Sequence, residues 1–282
     1  PTQVVKNTDF NEHAFLNEDG SAFAYSNDVV IGKFKSITGI GERRYAAANL
    51  CSSDLAFFAA QKAIEAGTTQ YSSALGILEL RQALSAWYKG RFNLDINANR
   101  IMITAGGSAA LQLACLALIN PNDEILMPDP SYPCNRHFVG STGGKAILIP
   151  SSAQERFQLS YESVVQHWTP ASKGVLLASP SNPTGTSIEP QELKKIIDFV
   201  SAQNGVSLID EIYLPLSFNP NMAQSVLALS DDVISINSFS KYFNMTGWRL
   251  GWLVVPEAVM PTLEKLAQNL FICPSVIAQQ AA

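Results

Sequence analysis

The sequence has no block of basic residues, no long apolar run and no paired-cysteine spacing. Its 19 lysines and arginines are scattered among 24 acidic side chains, for a net charge of −5, so the electrostatic footprint of a nucleic-acid binder is missing. No apolar stretch approaches the roughly 20 residues that a membrane-spanning helix needs. The polar start, PTQVVKNTDFNEHAF, lacks the basic-then-apolar pattern of a secretory signal. The four cysteines, Cys51, Cys115, Cys134 and Cys273, show no CxxC spacing and sit in mostly apolar surroundings, and they read as reduced thiols of a cytoplasmic protein. The three histidines, His13, His137 and His167, are too isolated for a metal site. Charge itself is scarce: 15% of residues are charged against 47% hydrophobic. That composition describes a globular chain with a generous interior, and 282 residues suffice for one large core or for a large and a small lobe. Pro1 and the abrupt stop at SVIAQQAA read as the ends of a trimmed chain.

What is present is an alternation. Residues 1–50 have weak periodicity and read as an extended arm with one short helix. LAFFAAQKAIEAG and GILELRQALSAWYKGRF then have helical spacing. From RIMIT onward, short continuous apolar strands (EILMP, KAILIP, GVLLAS, VSLID, VISINS, LGWLVV) are interleaved with helical segments such as SAALQLACLALI, EPQELKKIIDFVSAQ and EAVMPTLEKLAQNL. The pattern predicts an α/β fold, with a mostly parallel mixed sheet covered by helices on both faces. Ligands of such sheets sit beyond the carboxyl ends of the strands. The polar clusters of this chain fall at those ends.

Four of the clusters suggest chemistry. TAGGSAALQLA is a strand-to-helix turn in which Gly106 and Gly107 let the backbone approach an anion and the helix start offers free N–H groups, with Ser108 as either a plain N-cap or a phosphate ligand. ASPSNPTGT holds Asn182 inside a turn made rigid by two prolines and a glycine. SLIDEIYLPL ends a buried run on Asp210, with Tyr213 three residues on. An acid there is costly unless it is paired with a structural arginine or a cationic ligand atom. SINSFSKYFNMTGWRLGW places Ser238 three residues before Lys241 and Arg249 eight residues after it, inside an apolar frame. A buried lysine in such a frame needs a lowered pKa or a covalent fate. An arginine beside serines suits a phosphate through its planar fork. A ligand carrying both an aldehyde and a phosphate satisfies both demands, and pyridoxal 5'-phosphate (PLP) is such a ligand.

These segments resemble, in order and spacing, the class I/II aminotransferases, which are fold-type-I PLP-dependent enzymes. SFSKYFNMTGWRLGW is similar to the family's lysine signature, and AGGSAAL, PDPSYP, SPSNPTG and DEIY follow the family's order. YSSALGILELRQAL is similar to its Tyr-x-x-x-x-Gly-x-x-x-Leu-Arg segment. The likeness covers roughly residues 45–282. It implies a PLP-dependent aminotransferase that moves an amino group from an L-amino acid to a 2-oxo acid through a Schiff base at Lys241, which also serves as general base and acid. It implies that Asp210 pairs with the pyridinium nitrogen, with a depressed pKa, and that Asn182 and Tyr213 hydrogen-bond the ring's phenolic oxygen. Tyr132 would stack on the ring. Gly107, Ser108, Ala109, Ser238, Ser240 and Arg249 would hold the phosphate, and Tyr71 would reach the phosphate of a neighbouring subunit in a homodimer. The implied organisation is an N-terminal arm and part of a small domain over 1–44, a large cofactor domain over 45–260, and the start of a truncated C-terminal small domain over 261–282.

The sequence departs from the family in two places. It ends before the lobe that carries the arginine for the substrate's α-carboxylate, and Arg43, Arg44 and Arg136 match no motif for that role. NLCSSDLAF replaces the family's acidic, Gly/Pro-rich stretch. The cofactor residues would serve a PLP-dependent carbon–sulfur lyase or a related synthase equally well. A non-catalytic PLP-binding sensor domain is a third reading, although the short, non-basic arm offers no DNA-binding domain.

Overall fold

The computed structural model describes residues 3–38, 41–45, 47, 49–50 and 52–282. Cys51 lies outside the described residues. The chain divides into two compact units, Pro1–Ala66 and Gly67–Ala282.

In the first unit, β1 (Gln3–Lys6) pairs antiparallel with β2 (Glu42–Tyr45), and the unit also holds α1 (Asn27–Thr38) and α2 (Ser52–Glu65). The expected extended arm is thus a two-stranded ladder and a twelve-residue helix. The ladder joins Gln3 to Tyr45. Pairing across so long a separation leaves no periodic trace in either strand.

The second unit contains α3 (Leu78–Phe92), β3 (Ile101–Thr104), α4 (Gly107–Leu118), β4 (Glu124–Asp129), α5 (Asn135–Gly140) and β5 (Lys145–Pro150). It continues with α6 (Tyr161–His167), β6 (Ser172–Ala178), α7 (Pro190–Ala202), β7 (Val206–Asp210), β8 (Ile234–Ser238), β9 (Gly251–Val254), α8 (Met260–Leu270) and α9 (Val276–Ala281). The strands form one sheet of seven in the order β3-β9-β8-β7-β6-β4-β5. Strand β9 runs antiparallel to both neighbours, and the other pairs are parallel. The mixed, mostly parallel sheet expected from the alternation is present. The short helices α6 and α9 were not anticipated, because a one- or two-turn helix gives too few repeats to register as a period.

The strands are apolar throughout because both faces are covered. Successive residues feed two different cores. Ile101, Ile103, Leu126, Val175, Leu177, Ile209 and Trp252 pack against α3 and α7. Met102, Ile125, Met127, Leu176, Leu208 and Leu253 pack against α4 and α8. Helix α7 shows why its sequence is helical: Pro190 occupies the first turn, and Leu193, Ile196, Ile197 and Val200 form one buried stripe. Each fully buried aliphatic side chain contributes about 1.5–3 kcal/mol relative to exposure.

The topology places β3, β4, β6, β7 and β8 with their carboxyl ends at the same edge, where β9 begins. Thr104, Asp129, Ala178, Asp210, Ser238 and Gly251 therefore mark one rim.

Candidate functional site

The segment from Ser238 to Gly251 is the loop of an antiparallel hairpin. Ser238 and Gly251 are cross-strand partners, so the residues between them must leave the rim and return to it. Phe239 is buried against Trp252 and Phe243 and anchors the loop to the core. Its N–H donates to the Leu250 carbonyl at 3.0 Å and its own carbonyl accepts from Met245 N–H at 3.0 Å. Beyond that anchor the chain surfaces. Lys241 is exposed, contrary to the buried position inferred from its apolar frame. The frame belongs to the strand and the anchor, and the lysine is the first residue clear of them. Its Nζ lies 5.9 Å from the centre of the Tyr213 ring.

Arg249 closes the loop in a left-handed conformation with φ 51°, and its Nη1 donates to the Thr246 carbonyl at 3.0 Å. The guanidinium lies against the turn that opens α4. A Cβ on Gly106 (φ 88°) would run into Arg249 Nη2. A Cβ on Gly251 would stand 2.6 Å from the carbonyl carbon of Gly106 and 2.7 Å from the nitrogen of Gly107. The two glycines therefore let β9 and the α4 turn approach closely enough to place the cation at the helix start. The N-cap of α4 is Gly106, with no side-chain hydrogen bond, so Ser108 is a first-turn residue and not the cap. Ser238 Oγ bonds Ser240 Oγ at 2.9 Å and donates to the Leu250 carbonyl at 3.0 Å. Uncapped first-turn amides, a positive dipole end, hydroxyls and a guanidinium together make an anion cradle. Gly251→Ala is expected to cost about 1–3 kcal/mol, as overpacking against backbone does. Urea denaturation checks it, and an unchanged midpoint would show that the two segments separate freely.

On the same rim, Asp210 ends β7. It is half-buried as a residue because one side faces a cavity, yet its carboxylate is packed by protein, and the loss of hydration raises its pKa to about 6. Its Oδ1 accepts from Ile212 N–H at 3.0 Å. Among the described residues no lysine or arginine pairs with it, so the structural-arginine alternative does not hold. In the protein alone the loss of hydration outweighs the lowering by the Ile212 N–H, and the depression expected from pairing with a ring nitrogen belongs to the cofactor-bound site.

The adjacent Glu211 points the other way, into the core, and is 2% exposed. It accepts from Val226 N–H at 2.7 Å, Ser235 Oγ at 2.7 Å and Ser225 Oγ at 3.0 Å. Burial still pushes it up to about 7.

The cavity between these groups holds about 250 Å³. Its lining includes Gly107, Ser108, Ser238, Ser240 and Arg249 together with Asp210, Tyr213, Asn182, Tyr132 and Lys241. Asn182 is held by a turn in which Ser181 N–H donates to the Thr186 carbonyl at 2.9 Å. Gln158 Nε2 braces the turn, donating to the carbonyls of Ala178 and Thr186. Tyr132 is hydrogen-bonded to Cys134, which raises its pKa above the ordinary phenol range. A larger open groove of about 840 Å³ near the end of α3 and the start of α7 has Arg91 and Glu189 among otherwise neutral residues, and brings no such set together.

A family model for aminotransferases of class I and II matches residues 39–282. The chain belongs to the class I and II aminotransferase family. It is 39% identical over 225 residues to a valine–pyruvate aminotransferase of Mycobacterium tuberculosis, covering 79% of this chain and 58% of that protein. It is 37% identical to an aspartate aminotransferase of Sulfolobus acidocaldarius, covering 79% and 57%. Among solved structures, an aminotransferase from Mycobacterium tuberculosis superposes with a TM-score of 0.77 at 38% identity, covering 81% of this chain and 59% of the other. A mutant aspartate aminotransferase of Thermus thermophilus gives 0.76 at 28% identity, covering 81% and 63%. The fold is that of the aminotransferase structures. This family member spans somewhat under three fifths of the length of these two curated relatives.

Of the twelve residues singled out in the sequence, ten line the cavity. The two others do not. Ala109 lies one residue deeper in α4, and Tyr71 stands 79% exposed away from the lining. Sequence reasoning missed Leu111, Ala178, Ile212 and Thr246, which complete the wall. They lie within or beside the quoted motifs but carry no chemistry that would single them out. It also passed over Glu211. The signal was available: two successive acids at a strand end must face opposite sides of the sheet.

The remaining expectations concern histidines, arginines and the membrane. His137 is exposed, and His167 Nδ1 bonds the Ser163 carbonyl at 2.8 Å within α6. Among the described residues there is no group of metal-binding side chains. Arg43 bonds Asn7 in the first unit, Arg136 lies 3.8 Å from Asp129, and the side chain of Arg44 is outside the described set. No described helix is long and apolar enough to cross a membrane.

Proposed function

We propose that this family member is a PLP-dependent aminotransferase that transfers an amino group from an L-amino acid to a 2-oxo acid. The observation that carries the reading is a single cavity that combines a buried carboxylate lacking a protein cation, a free amine and an uncapped anion cradle. That donor set fits PLP, which has a basic ring nitrogen for Asp210, an aldehyde for Lys241 and a phosphate for Ser108, Ser238, Ser240 and Arg249. When bound, the cofactor supplies an electron sink for the carbon that loses its proton.

The protein's own residues do the rest. Lys241 moves the proton at the substrate carbon as base and then acid. Its exposure at the cavity mouth suits a group that must reach both cofactor and substrate. Asp210 keeps a proton on the ring nitrogen, and the pairing brings its own pKa back down. Asn182 and Tyr213 hold the ring's phenolic oxygen, and Tyr132 covers the ring face. In a homodimer the exposed Tyr71 would reach the phosphate of the partner's site. The free thiols of Cys115, Cys134 and Cys273 support a reducing, cytoplasmic setting. The relatives named above are called aminotransferases, which favours this reaction over a lyase or a sensor on the same cofactor residues.

The test is the visible absorbance of the purified chain with PLP, before and after a panel of L-amino acids. A cofactor band that bleaches with an amino acid and returns with a 2-oxo acid is expected. A band indifferent to every amino acid would overturn the reaction, and no band would overturn the cofactor.

A further inference from the structure

Helix α3 lends no side chain to the cavity lining, yet it reaches the base of the loop that carries Lys241. The loop leaves the sheet at Ser238 and rejoins it at Gly251, and the next pair inward, Asn237 and Trp252, are also cross-strand partners. Successive strand residues face opposite sides. Ser238 therefore meets the cavity, while Asn237 and Trp252 turn to the side where α3 packs. There Tyr88, 1% exposed, accepts from Trp252 Nε1 at 3.0 Å and from Asn237 Nδ2 at 3.4 Å. Burial holds the phenol well above its ordinary pKa, so it stays a neutral hydroxyl. Trp252 in turn holds the loop. Its ring centre lies 4.9 Å from that of Phe239 and 6.3 Å from that of Phe243. These two phenylalanines stand two residues before and two residues after Lys241, and their own rings are 4.9 Å apart. Trp87, the neighbour of Tyr88 on α3, meets Trp252 and Phe243 at 5.8 Å each. Lys241 thus rides on a short span between two aromatic contacts, and both contacts rest on one indole.

Resting on the aminotransferase reading above, we propose that Tyr88 is a positioning residue for Lys241: its hydroxyl fixes the Trp252 ring, and that ring fixes the loop through Phe239 and Phe243. The same oxygen reaches a second arm. Asn237 Nδ2 also donates to Ser235 Oγ at 3.2 Å, and Ser235 Oγ donates to Glu211 Oε2 at 2.7 Å. Glu211 directly follows Asp210, so one hydroxyl ties the strand that carries the acid to the loop that carries the amine. Tyr88 does not line the cavity, and the anion cradle is built from α4, Ser238 and the far end of the loop. Its role is therefore in the placement of the amine and not in holding the cofactor. A displacement of about 1 Å from working geometry can cost about a hundredfold in rate, so a contact this far from the chemistry has a measurable consequence.

Tyr88→Phe keeps the ring and removes the oxygen. The first readout is hydrogen exchange of the whole chain without PLP, followed by mass spectrometry. Residues 239–250 are expected to exchange about fivefold faster relative to peptides of α7, the scale of one lost hydrogen bond. The second readout uses the PLP-loaded chain. There kcat is expected to fall about tenfold to a hundredfold, with KM and the PLP dissociation constant each within about twofold of the parent's. Ile196→Val, in the fully buried stripe of α7, is the control for stability: it lowers the urea midpoint and moves neither readout. Phe243→Leu, at a half-buried position, loosens the hold from the loop side and acts in the same direction, which covers the case that Tyr88→Phe does not fold. Loop exchange no faster than that of α7 in both variants, or an equal loss of kcat in Ile196→Val, overturns the role. A parent chain that takes up no PLP sinks the proposed function, whereas the exchange measurements still decide whether Tyr88 holds the loop.

Discussion

Replacing Lys241 by alanine is expected to abolish covalent, borohydride-trapped attachment of PLP and to lower transamination by on the order of 10⁴-fold or more. The amine is both the attachment point and the proton carrier, and no neighbouring group is placed to substitute for it. Arg249 is committed to the anion cradle at the start of α4. Non-covalent uptake of PLP should survive, because Asp210 and the cradle at the start of α4 are independent of residue 241. The measurement is paired: equilibrium dialysis of PLP, and mass spectrometry after borohydride. An adduct at the cavity in Lys241→Ala would mean that another lysine does the work, and the role given to this loop would be wrong.

The second large effect falls on stability. Glu211 is buried and accepts three hydrogen bonds, from Ser225, Val226 and Ser235. Glu211→Ala leaves two hydroxyls and a backbone N–H without an acceptor in the core. At about 1–3 kcal/mol for each unsatisfied buried group, the expected loss is about 3 kcal/mol or more. Urea denaturation at pH 7 reads this directly, and a loss below about 1 kcal/mol would show that the network is not what holds the end of β7.

The pH dependence has a definite direction. Burial raises Glu211 from 4.5 to about 7 and Asp210 from 3.8 to about 6. The folded state therefore keeps these protons longer than the unfolded chain does. The stability they contribute is fully present below the unfolded values and is lost as pH rises through about 6 and then about 7. Glu211→Gln keeps an acceptor oxygen and removes the titration, so its stability should fall less than the parent's between pH 4.5 and 8, by about 3 kcal/mol. Parallel stability curves for the two proteins would remove the buried charge from the account.

The two acids at 210 and 211 also show how far sequence alone reaches. Local chemistry was legible. The continuous apolar strands require cover on both faces, so the layered α/β architecture follows from burial alone. Glycines at 106 and 107, serines at 238 and 240, and the lysine and arginine of one loop are residue types whose reactivity or backbone freedom is intrinsic. Ten of the twelve chosen residues meet in one cavity because parallel strands deliver their carboxyl ends to one rim.

Tertiary structure decided the rest. Whether Lys241 is buried depends on where the core stops, which is one residue beyond the Phe239 anchor and its serine. Whether Asp210 is depressed or raised depends on what pairs with it, and among the described residues no lysine or arginine does. The ladder between Gln3 and Tyr45 and the antiparallel pairing of β3 with β9 both join residues distant in sequence. A sequence specifies what each residue can do. Which residues it does it with is set by packing, since hydration, charge partners and hydrogen-bond satisfaction are properties of neighbours in space.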